Sequence, residues 1–223
     1  MSYLRRIVSA GNVARRFGRK LSEDRGGTAA LEFALVGPAL IALLLAILYT
    51  MLIYLAQQML ETTAQSAGRL LLTGAAQTTT LANGRVGMNA ADFKDAICNG
   101  YAGTAANGQA VRVASLMPPM LTCSRLTVNV TTANAYTTGG LAAPNFIYDS
   151  NGNVTSTGTG YSPQSGGSGK GKIVVLQLIY LWPTGKGPLG VNLANQPNSN
   201  RKLVATSVFT TEDFSCNAAQ ASC

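Results

Sequence analysis

Between Phe33 and Leu60 the chain carries no Asp, Glu, Lys or Arg at all, and Thr28 to Ala56 is almost entirely Ala, Leu, Ile, Val, Met, Phe and Tyr. A helix needs only about 20 such residues to cross the hydrocarbon core of a bilayer, so this run predicts a membrane-spanning helix. A cleaved secretory signal has a shorter apolar core, of roughly 7–15 residues, and ends at a small-residue site. Here the run continues directly into helix-compatible sequence, which leaves an uncleaved signal anchor as the plainer alternative.

The charge distribution agrees with this reading. Of the formal +8 of the whole chain, residues 1–27 hold +5: Arg5, Arg6, Arg15, Arg16, Arg19, Lys20 and Arg25 against Glu23 and Asp24. A basic block before an apolar run stays cytoplasmic by the positive-inside rule, so the chain beyond residue 60 is expected across the membrane. The remaining Lys and Arg are scattered and few aromatics stand near them. No stripe matches a row of phosphates, which argues against nucleic acid as a partner.

The helix is not expected to stop at the membrane. In QQMLETTAQSAGRLLLTG, Leu60, Ala64, Ala67 and Leu71 recur every three or four residues, with Glu61 and the Gln and Thr residues on other faces. Gly74 is the expected stop. A helix of that extent is about 70 Å long, part in lipid and part outside. Pro38 lies inside it and is expected to bend it, because proline has no N–H to donate to the carbonyl of Ala34.

Glu32 is the anomaly. A carboxylate in a membrane helix costs on the order of 3 kcal/mol on insertion scales, so it calls for a partner. The bland alternative is that Glu32 sits near the cytoplasmic interface and snorkels into water. Its neighbours favour another account. The stretch GGTAALEF resembles a type IV prepilin, whose short basic leader ends in Gly and is cut by a prepilin peptidase, leaving Glu at the fifth position of an apolar helix. By that resemblance the cut falls after Gly27, Thr28 is the new N-terminus, Glu32 is the fifth residue and Phe33 follows it. A cut after Gly26 would put the glutamate sixth. Freeing Thr28 creates an α-amino cation where no side chain supplies one. Between stacked subunits that amine and Glu32 of a neighbour attract strongly in low dielectric, which makes Glu32 and Phe33 the expected assembly contact.

Among prepilins the chain is most similar to TadE-like proteins, minor pilins or pseudopilins of the tight-adherence (Tad/Flp) pilus. The resemblance rests on RGGTAALEFALVGPALIALLLAIL, on QQMLETTAQSAGRLLLTG, and on a C-terminal region with ICNG, LTVNV, VVLQLIYLWP and LVATSVFTTEDF. Glu212, Asp213 and Phe214 stand where the family's Glu-Pro-Phe ending is expected. The resemblance implies a structural subunit whose partners are the prepilin peptidase, sister minor pilins, the major pilin, the inner-membrane assembly platform and membrane lipid, with no cofactor. It also implies residence in a bacterial inner membrane with the head periplasmic, or incorporation into a surface pilus. The alternative is a single-pass, membrane-anchored scaffold or binding protein with no filament role.

Outside the membrane an α+β head is expected. MNAADFKDAICNG predicts a short helix capped by Asn89, with Asp92 in its first turn, Phe93, Ala96 and Ile97 on one face, and an end at Asn99-Gly100. Val111, Val113 and Ser115, then Leu126, Val128 and Val130, alternate as strands do, with a turn at Met117-Pro118-Pro119-Met120; IVVLQLIYLW and LVATSVF supply two more strands. Strand order does not follow from these patterns. The chain thus divides into a leader (1–27), a transmembrane and stalk helix (28–73) and a head of about four antiparallel strands (74–223). Residues 74–88 read as a weakly structured connection and 134–172 as a flexible loop.

Cys98, Cys123, Cys216 and Cys223 allow three pairings; Cys98–Cys123 and Cys216–Cys223 are the local ones and are expected in an oxidising compartment. Without a CxxC pair or any His, a zinc site is disfavoured. The lack of His also removes Ser-His-Asp and Cys-His catalysis. Ser168 and Ser199, near Lys170, Arg201 and Lys202, read as solvated loop residues. SGGSGKGK lacks the GxxxxGK[ST] spacing and reads as linker. The acidic pairs Asp92/Asp95 and Glu212/Asp213 do not form an acid–base couple, and Trp182 reads as packing a strand end.

Overall fold

A computed structural model describes residues 27–133, 143–163, 173–185, 187 and 190–212. The first element is the expected long helix, α1, Thr28–Leu72, with Pro38 inside it. The chain falls into two compact units, divided between Leu48 and Tyr49. In the first unit every large apolar side chain from Leu31 to Leu48 is exposed. In the second, α1 buries a single stripe made of Ile53, Ala56, Leu60, Thr63, Ala64, Ala67 and Leu71. The three-and-four spacing of small and branched residues defines that stripe. Thr63 is the one polar member, and its hydroxyl donates to the carbonyls of Met59 (2.8 Å) and Leu116 (3.3 Å).

The helix ends as its sequence predicts. Gly74 takes a positive φ of 74°, a conformation glycine adopts without a Cβ clash. The carbonyl of Leu72, one of the last four that no helix N–H can reach, accepts from the backbone N–H of Glu212 at 3.1 Å.

Residues 74–88 do more than connect. They form α2 (Ala75–Thr78) and β1 (Thr80–Leu81), and they bury Ala76, Gln77, Thr79 and Met88. The short, Gly- and Thr-rich sequence hides this because its burial comes from neighbours and not from its own periodicity. Next comes α3, Ala90–Asn99, with a full capping box: Asn89 accepts from the Asp92 N–H and Asp92 accepts from the Asn89 N–H. Its buried face is Phe93, Ala96, Ile97 and Cys98, and Gly100 closes it with its N–H on Ala96 O.

Two antiparallel sheets follow. The smaller is β1–β2–β3, with β2 at Tyr101–Thr104 and β3 at Ala110–Val113. The larger has the order β4–β7–β8, from Leu126–Ala133, Ile173–Pro183 and Asn200–Thr210. The four strands expected from alternation are β3, β4, β7 and β8. However, β3 and β4 belong to different sheets, and the turn in which Leu121 N–H bonds to Pro118 O lies between the two.

The run IVVLQLIY in β7 is buried on both faces, so it needs two covers. One face (Val174, Leu176, Leu178, Tyr180), joined by Leu203 and Ala205 of β8, shares a core with the α1 stripe and α3. On the other face, the paired Asn129 and Gln177 are met by Gly160, which lies inside the expected 134–172 loop. There, β5 (Ile147–Tyr148) and β6 (Val154–Ser156) form a hairpin. Gly160 N–H donates to Asn129 Oδ1, and Asn129 Nδ2 donates to the buried Gln177 Oε1 (2.9 Å). The next residue, Tyr161, bridges to Val130 on the edge of β4 and turns back to the first core, where its ring packs against Phe93 of α3, 5.6 Å between centroids. Burial, then the charge of Asp92, pushes the Tyr161 phenol far above its ordinary range. Polar composition concealed this cover, because few of its residues do the packing.

Cys98 and Cys123 are bonded, with Cα atoms 5.8 Å apart. The bridge ties the last turn of α3 to the 3-10 turn Cys123–Arg125 that precedes β4, and not to a strand itself. Cys216 and Cys223 lie outside the described residues.

Candidate functional site

The residues singled out at the membrane segment lie in chain order along the first turns of α1. Gly27 immediately precedes the helix, Thr28 is its first residue, Glu32 is one turn on, Phe33 follows, and Pro38 comes one turn later. A Cβ placed on Gly27 would meet nothing within 4 Å. Neither packing nor a left-handed backbone therefore demands glycine there, and the reason for it lies outside this fold. At Gly37 a Cβ would sit 3.5 Å from the Phe33 ring, an ordinary contact.

Glu32 is exposed and makes no hydrogen bond or ion pair among the described residues. It is flanked by Leu31 and Phe33, which are 68% and 75% exposed. A helix that is apolar all round and covered by nothing of its own chain requires lipid or other helices around it. By length and composition α1 is able to cross a membrane. Glu32 is the only charged side chain in such a surface between Thr28 and Leu60.

A family model described as TadE-like protein matches residues 27–69. Over that stretch alone the chain is similar to that family. The match begins at Gly27, takes in Glu32, Phe33 and Pro38, and runs through the buried stripe to Arg69. The matched stretch is the helix that is long and apolar enough to cross a membrane, and it stops short of the head. No curated protein and no solved structure matches the chain.

Elsewhere the chain brings together residues that sequence reasoning set apart. Arg201 and Lys202, read as loop residues, belong to β8, where they pair with Trp182 and Leu181 of β7. Ser199 is in the preceding turn at φ 51°, and its carbonyl accepts from the Thr184 N–H and hydroxyl. Ser168 and the SGGSGKGK segment lie outside the described residues, as do Asp213 and Phe214. Trp182 is half-buried and packs 6.3 Å from the Tyr180 ring, as expected of a strand end.

The second unit also holds α1 against its sheet through polar bonds. Tyr49 donates its hydroxyl to Thr184 O, and Gln57 Nε2 donates both to Val204 O (3.0 Å) and to Glu61 Oε1 (2.9 Å). The signal available in the sequence was the change at Gln57 from apolar to polar residues. Among the described residues no three His, Cys, Asp or Glu side chains gather as a metal site.

Proposed function

We propose that this protein is a minor pilin or pseudopilin of a Tad-type pilus. It is cut after Gly27 by a prepilin peptidase and then assembles through α1 into a filament or its initiating complex. The observation that carries the reading is Glu32, an exposed, unpartnered acid on a helix whose surroundings are otherwise wholly apolar. Cleavage supplies the missing cation as the Thr28 amine of a neighbouring subunit. Buried together, the two would cost less than either would alone, and their geometry would set subunit register. The open space around Gly27 supports a role in recognition by the peptidase. The leader remains on the cytoplasmic side, the head lies in the periplasm, and the partners are sister minor pilins, the major pilin and the assembly platform. The role is structural and not catalytic.

The test replaces Glu32 by Leu and by Gln in cells that assemble the pilus. Both variants are expected to be processed at Gly27 yet to fail to join the filament system. Wild-type incorporation of Glu32→Leu would refute the pairing. An anchored scaffold without a filament role predicts that neither substitution matters and that the leader stays attached.

A further inference from the structure

Where α1 leaves the apolar stretch, it forms one wall of a groove of about 490 Å³ with the start of β8. Ile53, Tyr54, Leu193 and Leu203 give it an apolar lining, Arg201 and Lys202 supply two cations, and no Asp or Glu lines it. Among the described residues both cations are anchored by backbone carbonyls. Arg201 donates one Nη1 bond to Leu193 O (3.0 Å). Lys202 donates to Pro144 O (3.3 Å) and lies 5.8 Å over the Phe146 ring. A guanidinium has five N–H donors and an ammonium three, so each keeps several for a ligand. Arg125 adds a third charge at the same strand end, bonded to Leu181 O and Asn200 Oδ1.

The level of this groove follows from helix length. About 20 residues at 1.5 Å each cross a hydrocarbon core of about 30 Å, so entry near Phe33 places exit near Ile53. Met51, Leu52, Tyr54 and Leu55, on the same turns, remain exposed. Tyr49 and Tyr54 flank that exit, as aromatic residues do at a membrane interface. Two cations at headgroup depth beside an apolar channel match one kind of ligand in both charge and shape.

We propose that the groove binds an anionic phospholipid of the leaflet on the head's side, with its phosphate on Arg201 and Lys202 and an acyl chain along Ile53, Leu193 and Leu203. Binding would fix the head on the membrane before assembly. The inference rests on the reading that α1 spans the bilayer, and the experiment separates the two.

Full-length protein is placed in phosphatidylcholine nanodiscs with or without phosphatidylglycerol, and retained lipid is counted by native mass spectrometry. Trp182, the only tryptophan, is paired in register with Arg201 and serves as a second reporter through quenching by brominated phosphatidylglycerol. The wild type is expected to retain phosphatidylglycerol preferentially, and Arg201→Gln and Lys202→Gln to weaken that preference by about fivefold each. The charge-keeping double variant Arg201→Lys/Lys202→Arg should retain it, which controls for folding. Entry into nanodiscs with no preference for phosphatidylglycerol, or equal retention by the neutralised variants, would overturn the groove assignment alone. Displacement by inorganic phosphate would overturn it in favour of a soluble anion. Failure to enter nanodiscs would overturn the spanning reading and the groove with it.

Discussion

The two parts of α1 on either side of Leu48 are made of much the same residues and meet different surroundings. From Thr28 to Leu48 the large apolar side chains point in all directions and are exposed, and the only charge is Glu32. From Tyr49 to Leu72 one stripe of Ile, Leu, Ala and Thr is buried against the head, while the other faces stay apolar and exposed as far as Leu55 and turn largely polar from Gln57 on. The second part is an amphipathic core helix, stabilised within its own subunit. The first contributes nothing to the subunit's own core and is stable only where something else surrounds it. The buried stripe begins at Ile53, one turn before the loss of circumferential hydrophobicity at Gln57, so composition alone does not show where the division falls.

Substitutions that are alike in chemistry but placed in different parts of the helix sharpen the contrast. Leu60 is fully buried and Leu44 is 51% exposed. Leu60→Ala is expected to destabilise the head by about 3 kcal/mol, and Leu44→Ala by less than about 0.5 kcal/mol, in urea unfolding followed by Trp182 fluorescence. Equal losses would break the division. Glycines provide the next pair. A Cβ on Gly68 would come within 3.2 Å of the Phe209 ring and Ser207 Oγ, whereas one on Gly27 would meet nothing. Gly68→Leu should therefore cost about 2 kcal/mol through overpacking. Gly27→Ala should leave the unfolding midpoint unchanged while leaving the leader attached, seen as a heavier band on immunoblots.

At the boundary, Gln57→Leu removes the bond to Val204 O and should cost about 1 kcal/mol in the same assay. A neutral result there would mean that packing alone holds α1 to β8.

The smallest effect is expected in the cover on the second face of the sheet. The Asp149 carboxylate accepts from the Asn153 N–H (2.8 Å) and side chain (3.1 Å), and from the Asn151 N–H (2.8 Å). These bonds, led by that from the Asn153 backbone, hold its pKa below the ordinary carboxylate value. A depressed folded value means that the stabilisation is present above about pH 4 and fades as pH falls through the lower folded value. Protection of the Asn153 amide, its exchange rate relative to the intrinsic rate at each pH, should fall only in that acid range, without a change in the α1 stripe. Loss of protection near neutral pH would contradict the assignment.

Much of this arrangement was legible in the residues, and the exceptions have physical causes. The α1 stripe, the Asn89 cap, the Gly74 stop, the Cys98–Cys123 bridge and strands β4, β7 and β8 all follow from local signals: period, capping chemistry, proximity in sequence and β-branched runs. The cover at 143–163 did not show, because its work is done by backbone bonds and a few anchors such as Tyr161 within polar sequence. Likewise β1, β2, β5 and β6 are two to four residues long, too short for alternation to register. Glu32 stood out as an acid amid apolar residues, and Gly27 through the resemblance of GGTAALEF to prepilins. Arg201 and Lys202 gave no such sign, since two basic residues after Asn-Ser-Asn resemble any surface turn until the register of β8 sets them beside α1.

The central claim is that proteolysis at Gly27 creates the cation for which Glu32 waits. It is tested most directly by the intact mass and N-terminal sequence of the protein from cells with and without a prepilin peptidase. A chain starting at Thr28 in the first and at Met1 or Ser2 in the second is the predicted result. A chain starting at Met1 or Ser2 in peptidase-proficient cells would contradict it.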